Sequence, residues 1–83
     1  MYEIIFSQRA KKQLLKLERI LQERIIATLE RIRIRPGAYI TKLVGDPGYK
    51  LRVGDYRVIM DIDNTKLIIL VIKIGHRSDI YKR

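Results

Sequence analysis

The sequence contains no cysteine and a single histidine, His76, among its 83 residues. Without cysteine the chain has no disulfide, no cysteine zinc site and no thiol nucleophile. With one histidine it cannot build a site that requires two, and it carries no Ser-His-Asp hydrolase pattern. Zinc-finger and glycine-rich phosphate-loop motifs are also missing. We therefore expect a function without metal or cofactor.

Long apolar runs are missing as well. The longest, Leu67–Ile72, is far shorter than the roughly 18 residues that a membrane span needs. The N-terminal apolar run is also too short for the apolar region of a signal peptide. We expect no membrane partner and a cytoplasmic location, with which the lack of cysteine agrees.

Acidic residues are scarce: 18 Lys and Arg stand against 9 Asp and Glu, so 18 − 9 gives a net charge of +9. The excess of positive charge is spread along the chain. Residues 1–41 contain nine Lys and Arg and four Asp and Glu, and residues 42–83 contain nine and five. Hydrophobic residues make up 47% of the sequence, so the chain can fold, and its length predicts a single domain over residues 1–83. A strongly basic folded domain indicates a polyanionic partner, most simply nucleic acid.

The first half of the chain reads as a strand followed by two helices. Tyr2–Phe6 is β-branched and aromatic, and Ser7 is a suitable helix N-cap. From Gln8 onward apolar residues recur every three or four positions, over a stretch that is too long for one ordinary helix. We expect a helical hairpin with its bend near Leu17–Ile20 and its end at 35–37. The predicted core stripe is Ala10, Leu14, Leu17, Leu21, Ile25, Leu29 and Ile32.

The second half reads as β-structure. Tyr49–Val53, Asp55–Ile62 and Lys66–Ile74 are rich in Val, Ile, Leu and Tyr, with turn residues between them. Leu67–Ile72 is apolar on both faces, which predicts an interior strand. The fold class is therefore α+β, in the order β-α-α-β-β-β. An N-terminal strand and a two-helix hairpin accompany an antiparallel sheet, and the helices cover one face of that sheet.

Alternation along the strands predicts a basic surface on the other face. Tyr49, Leu51 and Val53 share the core side, so Lys50 and Arg52 point away from it. Arg57 on the next strand points the same way, and the residues after the last strand add two cations and a phenol. A sheet face lined by Lys, Arg and Tyr suits a phosphodiester backbone. The residues in question are Lys50, Arg52, Arg57, His76, Arg77 and Tyr81.

Each of these residues also has a purely structural interpretation. Lys50 and Arg52 can be solvated strand residues that discourage edge pairing. Arg57 can pair with Asp55 or Asp61. Tyr56 is expected in the core. His76 is a surface or capping residue unless it serves as a general base, since histidine exchanges protons near neutral pH. The aspartates lie largely at turns, where Asp is locally favoured, and so do not predict a metal cluster.

Three segments carry a recognisable pattern: KLVG at 42–45, YKLRVGDYRV at 49–58, and GHR at 75–77 followed by Tyr81. Together with the N-terminal strand and the RAKKQLLKL helix start, they resemble the RelE/ParE superfamily of toxins over essentially the whole chain. The resemblance implies a RelE-like fold and a toxin of a type II toxin–antitoxin pair. In the RelE branch such a toxin cleaves mRNA in the ribosomal A site. A ribose 2′-OH attacks the adjacent phosphorus without a metal and leaves a 2′,3′-cyclic phosphate.

The resemblance also implies roles for particular residues. Arg57 and Arg77 match the family's two catalytic arginines, and Tyr81 matches its catalytic tyrosine. Lys50 matches a lysine of the basic strand, which can neutralise phosphate or accept the 2′-OH proton. Arginine stays protonated in proteins, so its expected role is to stabilise charge on the phosphorane. The predicted phosphate-binding set is Lys42, Lys50, Arg52, Arg57 and Arg77.

Three features of the sequence differ from the best-known RelE. Gly48 stands where that relative has a further lysine, and His76 also replaces a lysine. The interval from Arg77 to Tyr81 is shorter. Some RelE-like nucleases use a histidine in this region as general base, so His76 is a secondary candidate.

Two other functions fit the same residues. One is a ParE-type toxin that inhibits DNA gyrase without nuclease activity, and the other is a non-catalytic RNA- or ribosome-binding module. The expected partners of the leading hypothesis are a RelB-like antitoxin with an acidic helix, and a ribosome with its rRNA and A-site mRNA.

Overall fold

The computed structural model describes residues 1–78. Within this range a five-stranded sheet is combined with two α-helices, which confirms the α+β fold class. The elements are β1 (Glu3–Phe6), α1 (Gln8–Leu15), α2 (Arg19–Ile32), β2 (Thr41–Lys42), β3 (Tyr49–Val53), β4 (Tyr56–Asp63) and β5 (Ile68–His76). A single 3₁₀ turn, Pro36–Ala38, follows α2 in this part of the chain. None of the helices described is long and apolar enough to cross a membrane.

The sheet has the order β1-β5-β4-β3-β2. The meander β3-β4-β5 is antiparallel, as its tight turns predict. β1 differs, because it pairs with β5 in parallel, from Glu3 opposite Ile68 to Phe6 opposite Val71. A parallel pair needs a long connection between its strands. The helical hairpin and the meander together provide it. β2 is a short addition at the far edge of the sheet, with Thr41 opposite Lys50.

Local signals set the start of α1 and the break between the helices. The Ser7 hydroxyl accepts a hydrogen bond of 3.0 Å from the Ala10 N–H, so Ser7 is the expected N-cap. α1 ends at Leu15, within two residues of the predicted bend. The Gln22 side chain donates to the Leu17 carbonyl at 2.8 Å, which satisfies an acceptor that the helix end leaves unpaired.

The core lies between the helices and one face of the sheet. The apolar stripe predicted from the sequence is buried or packed against the buried cluster throughout. Tyr56 packs against the same cluster, as expected. The buried residues of the sheet side are Leu51, Val53, Val58, Met60, Ile69, Val71 and Ile74.

The turn between β4 and β5 is organised by Asp63. Its carboxylate accepts hydrogen bonds of 2.9 Å from the backbone N–H groups of Thr65 and Lys66. The Lys66 hydrogen bond is the largest cause of the lowered pKa of Asp63. The ionised Asp63 carboxylate therefore stabilises the folded chain at pH values above its unfolded-state pKa. This contribution is lost as pH falls through the lowered pKa of the folded state. Leu67 has a φ of 56°, so β5 begins at Ile68 rather than at Lys66.

β5 contains a β-bulge at Ile72. Met60 pairs with Val71 and Ile59 pairs with Lys73, so Ile72 is an extra residue on β5. α1 and its cap satisfy the backbone groups near the bulge. The Ser7 hydroxyl donates to the Ile72 carbonyl at 2.7 Å. The Ile74 N–H donates to Gln13 Oε1, also at 2.7 Å. The bulge is therefore built into the contact between α1 and the sheet.

Replacing Ser7 with alanine is expected to lower the free energy of unfolding by about 2 kcal/mol, because it removes the N-cap of α1 and the hydrogen bond to Ile72. Urea denaturation measures the change. Thr28→Ala is the control, since the Thr28 hydroxyl bonds only to Arg24 within α2. Equal stabilities of the two variants would contradict the structural role of Ser7.

Candidate functional site

The sheet face opposite the helices, which we call the open face, collects the predicted basic residues in cross-strand rows. One row contains Lys50, Ile59 and Lys73, and the next contains Arg52, Arg57 and Gly75. Residues that pair across strands point to the same side, so the side chains of each row share the open face. The open face thus brings together Lys50, Arg52 and Arg57, as strand alternation predicts.

Arg57 lies at the centre of this group. Arg52 is its direct partner on β3, and Gly75, which has no side chain, is its partner on β5. Lys50 and Lys73 both pair with Ile59, two residues along β4, so each lies diagonal to Arg57. Diagonal neighbours in antiparallel sheets are about 7–8 Å apart, within reach of long side chains. One phosphate above Arg57 can therefore meet several cations.

The Arg57 guanidinium carries a buried nitrogen without a partner. Its Nη1 atom is buried and makes no hydrogen bond with the residues that the structure describes. An unsatisfied buried donor costs about 1–3 kcal/mol, and more when the group is charged. An arginine in this condition destabilises the free protein. Because Nη1 is closed to solvent, a bound anion relieves this cost when the guanidinium turns to bring Nη1 to it.

Carboxylates do not neutralise these cations. Two ion pairs occur in residues 1–78, Arg19–Glu23 and Arg33–Glu30, and both lie on α2 or at its end. Arg57 pairs with neither Asp55 nor Asp61, so the structural interpretation of Arg57 is not supported. Arg52 and Arg57 also oppose each other directly, and like charges in that position are destabilising. The open face is thus an electropositive surface whose cations form no ion pairs within residues 1–78.

The bulge determines which C-terminal residues reach the open face. Beyond Ile72 the alternation of β5 is reversed, so Lys73 and Gly75 point to the open face while Ile74 is buried. The Arg77 N–H donates to the Asp55 carbonyl at 2.8 Å and continues the ladder. Continued alternation directs Arg77 to the open face, diagonal to Arg57.

His76 points to the other side. It pairs with Tyr56, whose ring contacts its imidazole edge-on at 5.4 Å between centroids. Nδ1 of His76 is 2.8 Å from the Ser78 hydroxyl. Strand alternation therefore places Arg77, and not His76, on the same face of the sheet as Arg57.

Two other predicted residues do not join the cluster. Lys42 pairs with Tyr49, which packs against the core, so it shares that face of the sheet rather than the open one. Tyr81 lies outside the described residues.

Lys73 is the residue that sequence reasoning missed. It lies inside an apolar strand, and simple alternation from Ile69 and Val71 assigns it to the helix side. The bulge reverses that assignment. The one signal in the sequence is that Lys73 is a charged residue within an otherwise apolar strand, directly before Ile74 and Gly75.

A groove of about 420 Å³ adjoins the basic cluster on the open face. Ile72 contributes apolar surface, and the loop before β3 forms one wall. Four charged side chains border the groove without pairing with one another or with other residues in 1–78. They are Asp46, Lys50, Asp61 and Lys73.

Gly48, at the edge of this groove, leaves little room for a side chain. A Cβ there would lie 3.1 Å from the Met60 carbonyl oxygen and 3.7 Å from Oδ1 of Asp61. Since the Met60 oxygen belongs to the backbone of β4, it cannot move aside freely. A side chain at this position therefore requires β4 to shift by a few tenths of an ångström.

Among residues 1–78, no three His, Asp or Glu side chains cluster closely enough to hold a metal ion. The basic side chains of the open face offer positive charge and hydrogen-bond donors.

Comparison with known proteins defines the family. The family model for the ParE toxin of the type II toxin–antitoxin system parDE matches residues 4–81 of this chain. The crystal structure of the isolated E. coli RelE toxin is 30% identical, with a TM-score of 0.80 over 98% of this chain and 92% of that chain. The chain therefore belongs to the RelE branch of the RelE/ParE superfamily and is a toxin of a type II toxin–antitoxin system.

Two toxin–antitoxin complexes show similar chains. The E. coli RelBE complex gives 28% identity and a TM-score of 0.80, over 92% of this chain and 96% of that chain. The RelBE2 complex of Mycobacterium tuberculosis gives 20% identity and a TM-score of 0.84, over 92% of this chain and 98% of that chain. The latter likeness supports the fold alone. A comparison with curated protein sequences finds no match.

Proposed function

We propose that this toxin is a ribosome-dependent endoribonuclease that cleaves mRNA in the A site, inhibits translation and acts in the cytoplasm. The observation that carries the proposal is the cross-strand cluster of cations around Arg57, which form no ion pairs within residues 1–78. Such a site suits a phosphate group whose negative charge increases during reaction.

The proposed reaction is a transesterification. The 2′-oxygen attacks the adjacent phosphorus, the bond from phosphorus to the 5′-oxygen breaks, and the 2′-proton is lost to a base. The products are a 2′,3′-cyclic phosphate and a 5′-OH end. Arg57 and Arg77 stabilise the charge on the phosphorane oxygens and the leaving oxygen, and Lys50 neutralises the phosphate or accepts the 2′-proton. Tyr81 is proposed to orient the nucleotide, by analogy with the family.

Dependence on the ribosome follows from the composition of the site. The open face offers arginines and lysines but few good proton shuttles, because arginine stays protonated. Alignment of the 2′-oxygen with the phosphorus can supply a large part of the barrier reduction. A ribosome that holds the mRNA in position would provide that alignment.

A second basic region supports contact with ribosomal RNA. Arg24 and Arg31 of α2 border a cleft with Arg52 at the end of β3. Arg52 therefore connects the open face to this cleft. We propose that the cleft holds rRNA phosphates while the open face holds mRNA.

The test is to stall ribosomes on a defined mRNA, add the toxin and map the RNA ends. Cleavage within the A-site codon that depends on ribosomes supports the proposal. Intact mRNA together with inhibited DNA supercoiling would instead support the gyrase function, which the ParE family match keeps as the second candidate. Tight ribosome binding with neither activity would identify a non-catalytic module.

The proposed partner that neutralises the toxin is a RelB-like antitoxin. Related toxins occur in complexes described as RelBE and RelB–RelE. With a net charge of +9 on this chain, the antitoxin is expected to present an acidic amphipathic helix.

Affinity for that antitoxin is expected to fall as salt concentration rises. The interface charges are screened over about 8 Å at physiological ionic strength, and over about 3 Å at 1 M. The dissociation constant, measured by calorimetry across a salt series, should increase at least about tenfold between low salt and 0.5 M. A constant affinity would show that the contact is apolar, and binding of an uncharged peptide of equal length is the control.

A further inference from the structure

The groove beside the basic cluster has the features of a nucleotide subsite. Its volume, about 420 Å³, lies within the range of about 300–1,000 Å³ typical of small-ligand sites. Leu43, Val44 and Ile72 offer exposed apolar surface for a base, while Lys50 and Lys73 offer charge for a phosphate. These properties are combined on the face where Arg57 is proposed to hold the scissile phosphate.

The order of groups along β4 matches the parts of a nucleotide. The Lys50–Ile59–Lys73 row lies two residues beyond Arg57, which is about 6.8 Å along an antiparallel strand. The two lysines flank β4, about 9–10 Å apart at Cα, so both side chains can reach one phosphate between them. Asp61 follows after two more residues and pairs with Leu70 on β5.

Asp61 gives the groove a means of distinguishing bases. An ionised carboxylate only accepts hydrogen bonds. It therefore favours a base with an exocyclic amino group, such as cytosine, over uracil, which presents a carbonyl at the corresponding position. The Asp61 carboxylate makes no hydrogen bond or ion pair within residues 1–78 and lies beside Gly48, where no side chain blocks the approach.

We propose that this groove binds the nucleotide adjoining the scissile phosphate. In this arrangement Lys73 contacts its phosphate and Asp61 selects an amino-bearing base. The proposal rests on the proposed nuclease function for its biological meaning. Lys73 is a phosphate-binding residue in this scheme, and the bulge at Ile72 makes it available on the open face as a second ammonium group beside Lys50.

The experiment titrates the isotope-labelled full-length chain with cytidine 3′-monophosphate and uridine 3′-monophosphate and follows the backbone amides by NMR. We expect shifts at Gly48, Asp61 and Lys73, with cytidine binding about tenfold tighter than uridine. Lys73→Ala should weaken both nucleotides about tenfold, while Lys12→Ala on α1 should change neither. Asp61→Asn should remove the difference between the two, because an amide both donates and accepts.

Equal affinity of the wild type for the two nucleotides overturns the proposal. Shifts confined to the Arg24–Arg31 cleft, or no shifts at the three groove residues, overturn it as well. The titration requires no ribosome, so its outcome is separate from that of the nuclease assay. A chain that cuts mRNA but binds both nucleotides equally keeps the nuclease function and loses the subsite. A chain that discriminates between them but cuts nothing keeps the subsite and loses the nuclease function.

Discussion

Arg57→Ala is expected to reduce A-site mRNA cleavage by about 10²–10³-fold, the usual effect of removing one donor that stabilises a transition-state anion. Arg57 has the strongest claim to that role because it lies at the centre of the cationic rows and has a buried nitrogen without a partner. The measurement is the single-turnover rate of RNA end formation on stalled ribosomes. Arg9→Ala, an exposed arginine of α1, is the matched control and should cut at the wild-type rate.

Substitution of Arg57 is expected to raise stability while it lowers activity. Arg57→Met keeps the aliphatic part of the side chain and removes the unsatisfied donor and the repulsion from Arg52. We expect the free energy of unfolding to rise by about 1 kcal/mol while cleavage is lost. An Arg57→Ala protein that still cleaves at the wild-type rate, or an Arg57→Met protein that is markedly less stable, would mean that Arg57 is structural.

A single 2′-deoxy nucleotide at the scissile position of the mRNA is expected to abolish cleavage, because the proposed nucleophile is then absent. No other change tests the reaction as directly, since the attacking group belongs to the substrate and the alignment of that group supplies much of the rate. The experiment compares the modified mRNA with one whose deoxy nucleotide lies one codon downstream, which should be cut normally.

The chemistry of the RNA ends completes this test. Products from the unmodified mRNA should carry a 2′,3′-cyclic phosphate, detectable with a ligase that requires such ends. Cleavage of the deoxy substrate at the same bond, or a 5′-phosphate on the downstream product, would show that water rather than the 2′-oxygen is the nucleophile. Either result would leave the basic cluster as an RNA-binding surface but reassign its chemistry.

Local patterns in the sequence predicted most of the fold. The three- and four-residue spacing from Ala10 to Ile32 gave both helices and their buried stripe, and alternation gave the faces of β3 and β4. These features depend on neighbours along the chain, so periodicity reports them. The parallel pairing of β1 with β5 joins residues more than 60 positions apart, and no local pattern encodes it.

The candidate site was predictable where alternation holds and unpredictable beyond the bulge. Lys50, Arg52 and Arg57 lie before any irregularity and were placed correctly on the open face. At Ile72 one extra residue reverses the alternation, which puts Lys73 on the open face and His76 on the opposite face. The hydrogen bonds from Ser7 and to Gln13 at this point come from α1, so the bulge is a tertiary feature. The sequence of β5 alone does not determine it.

The tight packing at Gly48 has an evolutionary consequence. A side chain at this position brings its Cβ to 3.1 Å from the Met60 carbonyl oxygen, so β4 must move by a few tenths of an ångström to admit it. Substitution of Gly48 among related toxins is therefore expected to occur together with small adjustments in the packing of β4.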